Sequence, residues 1–342
     1  MKQQLIQQEL ERFSEMIDSF PTSEKESKFY HIESILSPIE YNLFKVFFGE
    51  QEYKKALSLV LEAQEAIKKC KADDLEGGYE KFQEVKRKSE QLSEKAKQYV
   101  TLYYLSGIAY YHFRRKDFDQ AINYTLREIQ ETESIENKGA TSLHYRRTGH
   151  VINLIKIFKA SHQAEKAIPL FLGSLKYLLN GNADLMPKGG WNSELLNFIP
   201  YVRQRSFDIF FIEAVDTLIN LQADNEHQEL LFRTLFMEIP DFEPQNNNQA
   251  MLYNWLYLQR LYHQKNYLDF VKDCTEFCQT PFDNSFDSLK LSLLANIIQI
   301  SQLHLKESGL QKQLKRKIND FIQTKLASPD HLKNNVCHLI IE

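Results

Sequence analysis

Apolar residues recur along this chain at spacings of three and four rather than two. Leu5, Ile6, Leu10, Phe13, Ile17 and Phe20 open the pattern, the stripe of an amphipathic helix. Pro21 with Thr22 and Ser23 stops it and caps a second helix to about Ile35, and Ser37-Pro38 breaks the chain again. Further helices are predicted over 39–48 and 53–70. Past an interruption at Asp73-Asp74 and Gly77-Gly78, a charged helix with few core residues follows over 79–98. From Tyr99 the pattern sharpens into pairs, 99–113 with 118–131 and 142–159 with 164–179. A turn-rich loop, Asn180 to Trp191, leads to helices over 192–198, 201–221 and 225–237. Two more pairs, 251–263 with 267–278 and 286–305 with 310–326, precede Ser328-Pro329 and a short tail. Nowhere do apolar and polar residues alternate between turn signals as a strand requires. The expected fold class is all-α, with no β-sheet.

Helices joined by such short links run antiparallel. A pair that cannot bury its stripe alone stacks on the next pair. Tyr53-Lys-Lys-Ala56-Leu57, Phe118-Asp-Gln-Ala121-Ile122 and Ala164-Glu-Lys-Ala167-Ile168 each start a second helix with an apolar residue and place Ala three later. A preceding helix carries Leu105-Ser-Gly107-Ile-Ala109-Tyr110-Tyr111. These segments resemble the tetratricopeptide repeat family, in which small residues let helices approach and aromatics fill the gap beside them. The resemblance implies a right-handed α-α superhelix, a TPR-like solenoid of antiparallel helix pairs. The alanines at 56, 121 and 167 lie 65 and 46 residues apart, against a family period of about 34. The 114–117 loop is longer than the family's and the terminal proline is missing, so no ligand contact carries over. The interruption at 73–78 divides an N-terminal helical bundle of capping helices, 1–75, from a degenerate repeat array, 76–342. That layout is similar to bacterial regulators that pair a helical bundle with a degenerate repeat domain.

Composition narrows the function classes. The 342 residues are 43% apolar and 26% charged, ordinary values for a folded soluble chain. Only 11 Gly and 9 Pro punctuate them, few for a β-rich fold or for a nucleotide enzyme that needs glycine beside phosphate. Lys and Arg total 42 against 46 Asp and Glu, a net charge of −4, which argues against a nucleic-acid partner. Arg114, Arg115 and Lys116, and the Lys312–Lys317 group, read as surface charge. No signal-peptide run and no membrane-length apolar stretch occurs. The four scattered cysteines suit a reducing compartment. The expected location is cytoplasmic.

No phosphate loop, G-x-G-x-x-G, H-E-x-x-H or G-x-S-x-G is present, so the chain reads as a non-enzyme without cofactor or metal. Cys274 and Cys278, at i and i+4, form at most half a zinc site and read as core residues. Arg146, His150 and Asn153 make a polar stripe on the first helix of a pair, the helix that lines the concave side of a solenoid. Asn254 and Arg260, with Asn296 and Gln299, extend the candidate groove. An Asn amide both donates to and accepts from a peptide backbone, and an Arg fork clamps a carboxylate. The plainer reading is a solvated helix face. Trp191, beside Gly189 and Gly190, either covers a groove or plugs the next helix. The expected function is a protein- or peptide-binding scaffold with a concave groove. The alternative is a regulatory sensor whose helices shift on binding a peptide or small ligand to control a target protein, and behind both stands an enzyme with an unfamiliar helical active site. The apolar tail Val336, Leu339, Ile340 and Ile341 is expected to pack onto the last helices or, as a homodimer contact, a second copy of the chain.

Overall fold

A computed structural model describes residues 2–23, 32–221, 225–281, 283–305 and 309–341. Every regular element longer than five residues among them is an α-helix, and the chain folds as two compact units, 30–207 and 1–29 with 208–342.

The unit spanning 30–207 holds α2 (Ile32–Phe48), α3 (Glu50–Lys71), α4 (Leu75–Ser89), α5 (Glu94–Arg114), α6 (Phe118–Glu136), α7 (Leu143–Ala160) and α8 (Ala164–Asn180). Each packs on its neighbour in sequence, and α3 also packs on α5. Three of the links are the same turn. Asp73, Lys116 and His162 sit at φ 70°, 60° and 58°, the left-handed residue that ends a helix. The next residue, Asp74, Asp117 or Gln163, donates its N–H five positions back, to the carbonyls of Lys69, His112 and Phe158 at 2.9–3.0 Å. That residue also starts the next helix. Asp74 and Asp117 cap theirs by accepting from Gly77 N and Gln120 N.

The turn fixes the repeat register. Four residues past each start stand Gly78, Ala121 and Ala167, 43 and 46 residues apart and all buried. The helices of a pair cross closely there, and a Cβ on Gly78 would lie 2.4 Å from Cys70 Sγ. Gly77-Gly78 is therefore the first turn of α4 rather than a break. Ala56 lies on α3, the first helix of its pair; taking it as the start of a second helix put the alanines out of phase. Phe82 and Val85 of α4 are fully buried, so the segment after residue 79 is not an exposed charged helix. Gly107 on α5 receives the Phe82 ring, which a Cβ would meet at 2.2 Å.

The other unit contains α1 (Lys2–Met16), the latter part of α9 (Pro200–Asn220), α10 (Asn225–Leu231), a single π-turn over 232–236, α11 (Asn247–His263), α12 (Tyr267–Gln279), α13 (Asp287–Leu305), α14 (Gly309–Lys325) and α15 (Asp330–Ile341). The α11–α12 link repeats the same turn, with Lys265 at φ 59° and Asn266 N donating to Leu261 O at 2.9 Å. Helix α13 is buried nearly all round, as a helix without a polar face must be, and α1, α11, α12, α14 and α15 pack on it. The predicted stripe of α1 buries Ile6, Leu10 and Phe13, and α1 packs on α12, α13 and α14. Lys317 Nζ holds it by donating to Ser14 O at 2.9 Å and Asp18 Oδ2 at 2.6 Å. The expected boundary at residue 75 thus differs from the division found: α1 belongs with helices some 300 residues later because its apolar stripe is buried there, while α2–α4 pack with α5.

The helix expected over 23–35 falls largely on 24–31, outside the described residues. The predicted break at Ser37-Pro38 is absent, and α2 runs through Pro38. The tail forms α15, which packs on α13 and α14 and fully buries Val336; the side chains of Ile340 and Ile341 lie outside the described residues.

Candidate binding cleft and the buried polar ladders of α7

Three of the stripe residues on α7 separate. Asn153 is exposed, His150 is buried and Arg146 is largely so. Arg146 Nη1 lies 3.6 Å from Glu40 Oε2, and its guanidinium sits 4.0 Å over the Tyr103 ring, a cation–π contact. Tyr103 donates to the same Glu40 at 3.4 Å. One turn along, His150 Nε2 is 3.1 Å from Glu128 Oε1. Burial pushes the Glu128 carboxyl up to about 8 against the opposing pull of Arg146 and of a hydrogen bond from Ser106. Burial, then the Arg146 charge, pushes His150 well below its usual range. Arg146 and His150 therefore belong to an internal ladder joining α2, α5, α6 and α7 rather than to a groove surface, while Asn153 faces solvent.

A second ladder on α7, unforeseen in the sequence, holds the turn-rich loop. Arg147 is fully buried; its Nη2 donates to Gly190 O at 2.6 Å and its guanidinium stacks 4.0 Å from Trp191. Glu133 Oε2 and Glu136 Oε2 lie 3.7 and 3.6 Å from that guanidinium. Glu133 also accepts from Gly190 N, and a Cβ at Gly189 would meet its carboxylate at 2.4 Å. His144 bridges Glu136, at 3.1 Å, and the Tyr177 hydroxyl, at 2.6 Å. Trp191 is clasped by His144 and Tyr177 edge-on and donates to Pro187 O at 2.7 Å. It plugs its own loop. The Gly189-Gly190 pair was the signal for this, since only glycine admits Glu133 so near the backbone.

In the other unit, Arg260 binds Asp241 at 3.0 Å and the carbonyls of Phe236 and Ile239 at 3.5 Å, ending the π-turn segment. Asn296 donates to Gln259 at 2.9 Å and Gln299 accepts from the Tyr262 hydroxyl, sewing α13 to α11. Cys274 and Cys278 are buried on α12, and burial first, then Cys278, drives the Cys274 thiol up. No group of three His, Cys, Asp or Glu among the described residues is placed to hold a metal.

Asn254 has a different setting. It is exposed and lines an open cleft of about 660 Å³ between α11 and α12, within the size range of ligand clefts. Two helical stripes face each other across it. Asn247, Met251, Asn254 and Leu258 come from α11, and Asp273, Glu276 and Phe277 from α12, the spacings that put residues on one helix face. Tyr257 projects half-exposed at its side. Thr280 and Asp283 also line it. Lys290, wholly buried, fixes Thr280 by donating to its carbonyl at 3.1 Å. Three carboxylates and no Lys, Arg or His line the cleft. Burial, then repulsion from Glu276, raises the Asp273 carboxyl above its ordinary value.

Comparison with known proteins finds no matching family model, no matching curated protein and no matching solved structure. Among the described residues no helix is long and apolar enough to cross a membrane.

Proposed function

We propose that this chain is a non-enzymatic helical-repeat scaffold that binds a protein or peptide segment in the cleft between α11 and α12. The single observation that carries the reading is the cleft itself: an apolar floor of Met251, Leu258 and Phe277 beneath exposed amide and carboxylate side chains. Amides such as Asn254 suit an extended backbone, which offers a donor and an acceptor at each residue. In contrast, Glu128 and Arg147 are buried and engaged in packing and loop structure, which supports reading them as structural.

The TPR-like part of the proposal rests on the repeated turn and the small residues at 78, 121 and 167. Their period of 43 and 46 residues exceeds the family's roughly 34 because the helices between them are long, 21 residues in α5 and 19 in α6. A right-handed stacking of the pairs is the arrangement we propose for them.

Random heptapeptides displayed on phage and selected on the intact chain test the reading. Selected clones should lose binding to Met251→Arg, which fills the floor with charge, provided circular dichroism shows that variant folded. Clones that bind Met251→Arg as well as the parent would overturn the cleft as the binding site.

A further inference from the structure

The cleft has a charge of one sign, and its chemistry narrows the occupant. Resting on the peptide-binding reading above, we infer that the segment held between α11 and α12 presents a Lys or Arg side chain to Asp273 and Glu276, with an apolar residue beside it on the cleft floor.

Charge complementarity carries the argument. Asp273 and Glu276 are at i and i+3 of one helix, so their Cβ atoms lie about 5–6 Å apart, close enough for one ammonium or guanidinium to meet both. Asp283, also in the lining, is already engaged, its Oδ1 accepting from Ser285 N at 2.9 Å and Ser285 Oγ at 2.6 Å. That leaves the α12 pair as the cation's seat. The groups facing Asp273 include Asp269 and Glu276, with Lys272 as its one cationic neighbour, and no base stands on the α11 wall. A half-buried carboxylate beside another is unfavourable in the empty cleft, and an arriving cation relieves both the burial and the repulsion. A neutral or acidic segment relieves neither. The aliphatic stem of Lys or Arg also fits the rest of the surface. Met251 and Phe277 offer apolar contact along it, and Tyr257 can take a cation or an apolar neighbour on its ring. Asn247 and Asn254 stand on the opposite wall, where they can hold the backbone in register.

The test uses cleft-dependent phage clones, those that fail on Met251→Arg, made as synthetic heptapeptides. Each is prepared with its Lys or Arg intact, with norleucine in its place, and with Glu in its place, and titrated by fluorescence anisotropy. Norleucine should weaken binding at least tenfold and Glu further. Asp273→Asn with Glu276→Gln should cost the intact peptide a similar factor and the norleucine peptide almost nothing, since both changes remove the same contact. Raising salt from 50 to 300 mM should weaken only the intact form. Clones without a conserved cation, or a norleucine form that binds as tightly as the intact one, would overturn this inference and leave the cleft reading standing. A selection in which no clone depends on Met251 would remove both.

Discussion

Replacing Glu128 with Gln tests whether the ladder inside α2–α7 carries a neutral acid. The native carboxyl titrates near 8 because it is buried, whereas the unfolded one titrates near 4.5. Between those values the native state holds a proton that the unfolded state has lost, so stability falls as pH rises. Below the unfolded value both states are protonated and the penalty vanishes. The full shift of roughly 3.5 units corresponds to a ceiling of about 5 kcal/mol. Relaxation around a buried charge brings the expected effect to roughly 2–4 kcal/mol at pH 8. Gln keeps the shape and stays neutral, so Glu128→Gln should match the parent near pH 4.5 and exceed it progressively towards pH 8. Urea titrations at pH 5, 6.5 and 8 measure the difference, with hydrogen exchange on α6 and α7 locating it. A difference that is constant across pH, or one that grows as pH falls, would refute the reasoning.

Two further substitutions probe other features. Arg147→Ala leaves Glu133 and Glu136 without their buried cation and frees Gly190 O, so a loss of about 3–5 kcal/mol is expected; thermal unfolding and a red shift of Trp191 emission would report it, and a loss below about 1 kcal/mol would contradict the latch. His162→Gly replaces an exposed residue at φ 58° by the one side chain with no left-handed penalty, and should stabilise by about 0.5–1 kcal/mol. A melting temperature that falls instead would count against the turn geometry.

Much of the fold was legible because period alone reports it. The pairs from Tyr99 to Leu179 and from Met251 to Cys278 came from apolar spacing and short links, and the structure has helices there. Glycine misled where it serves packing: Gly78 reads as a turn residue, yet it lies inside α4 so that Cys70 can approach. Proline misled at Pro38, which sits within α2 with its side chain exposed and costs that helix little packing. The α7 stripe misled for a different reason. Arg146 and His150 count as polar in any pattern, but their partners Glu40, Tyr103 and Glu128 lie on other helices, and no local period records that a charge has a mate far along the chain. Asn254 reaches the proposed cleft because it stands on the exposed face of α11. The proposed cation seat at Asp273 and Glu276 was not legible, because acids on a helix face look like solvation until a second helix stands opposite them.

The burial of α1 has a consequence for synthesis. Gln7 donates to His304 O and Lys317 donates to Ser14 O, so the partners of the first helix emerge some 300 residues after it. At about 5–20 residues per second, the apolar edge formed by Ile6, Leu10 and Phe13 stays without its seat for roughly 15–60 s while the hairpins after it are completed. Until α13 and α14 have been made, the growing chain carries this uncovered apolar stripe, and a chaperone that shields short amphipathic segments would find its substrate there.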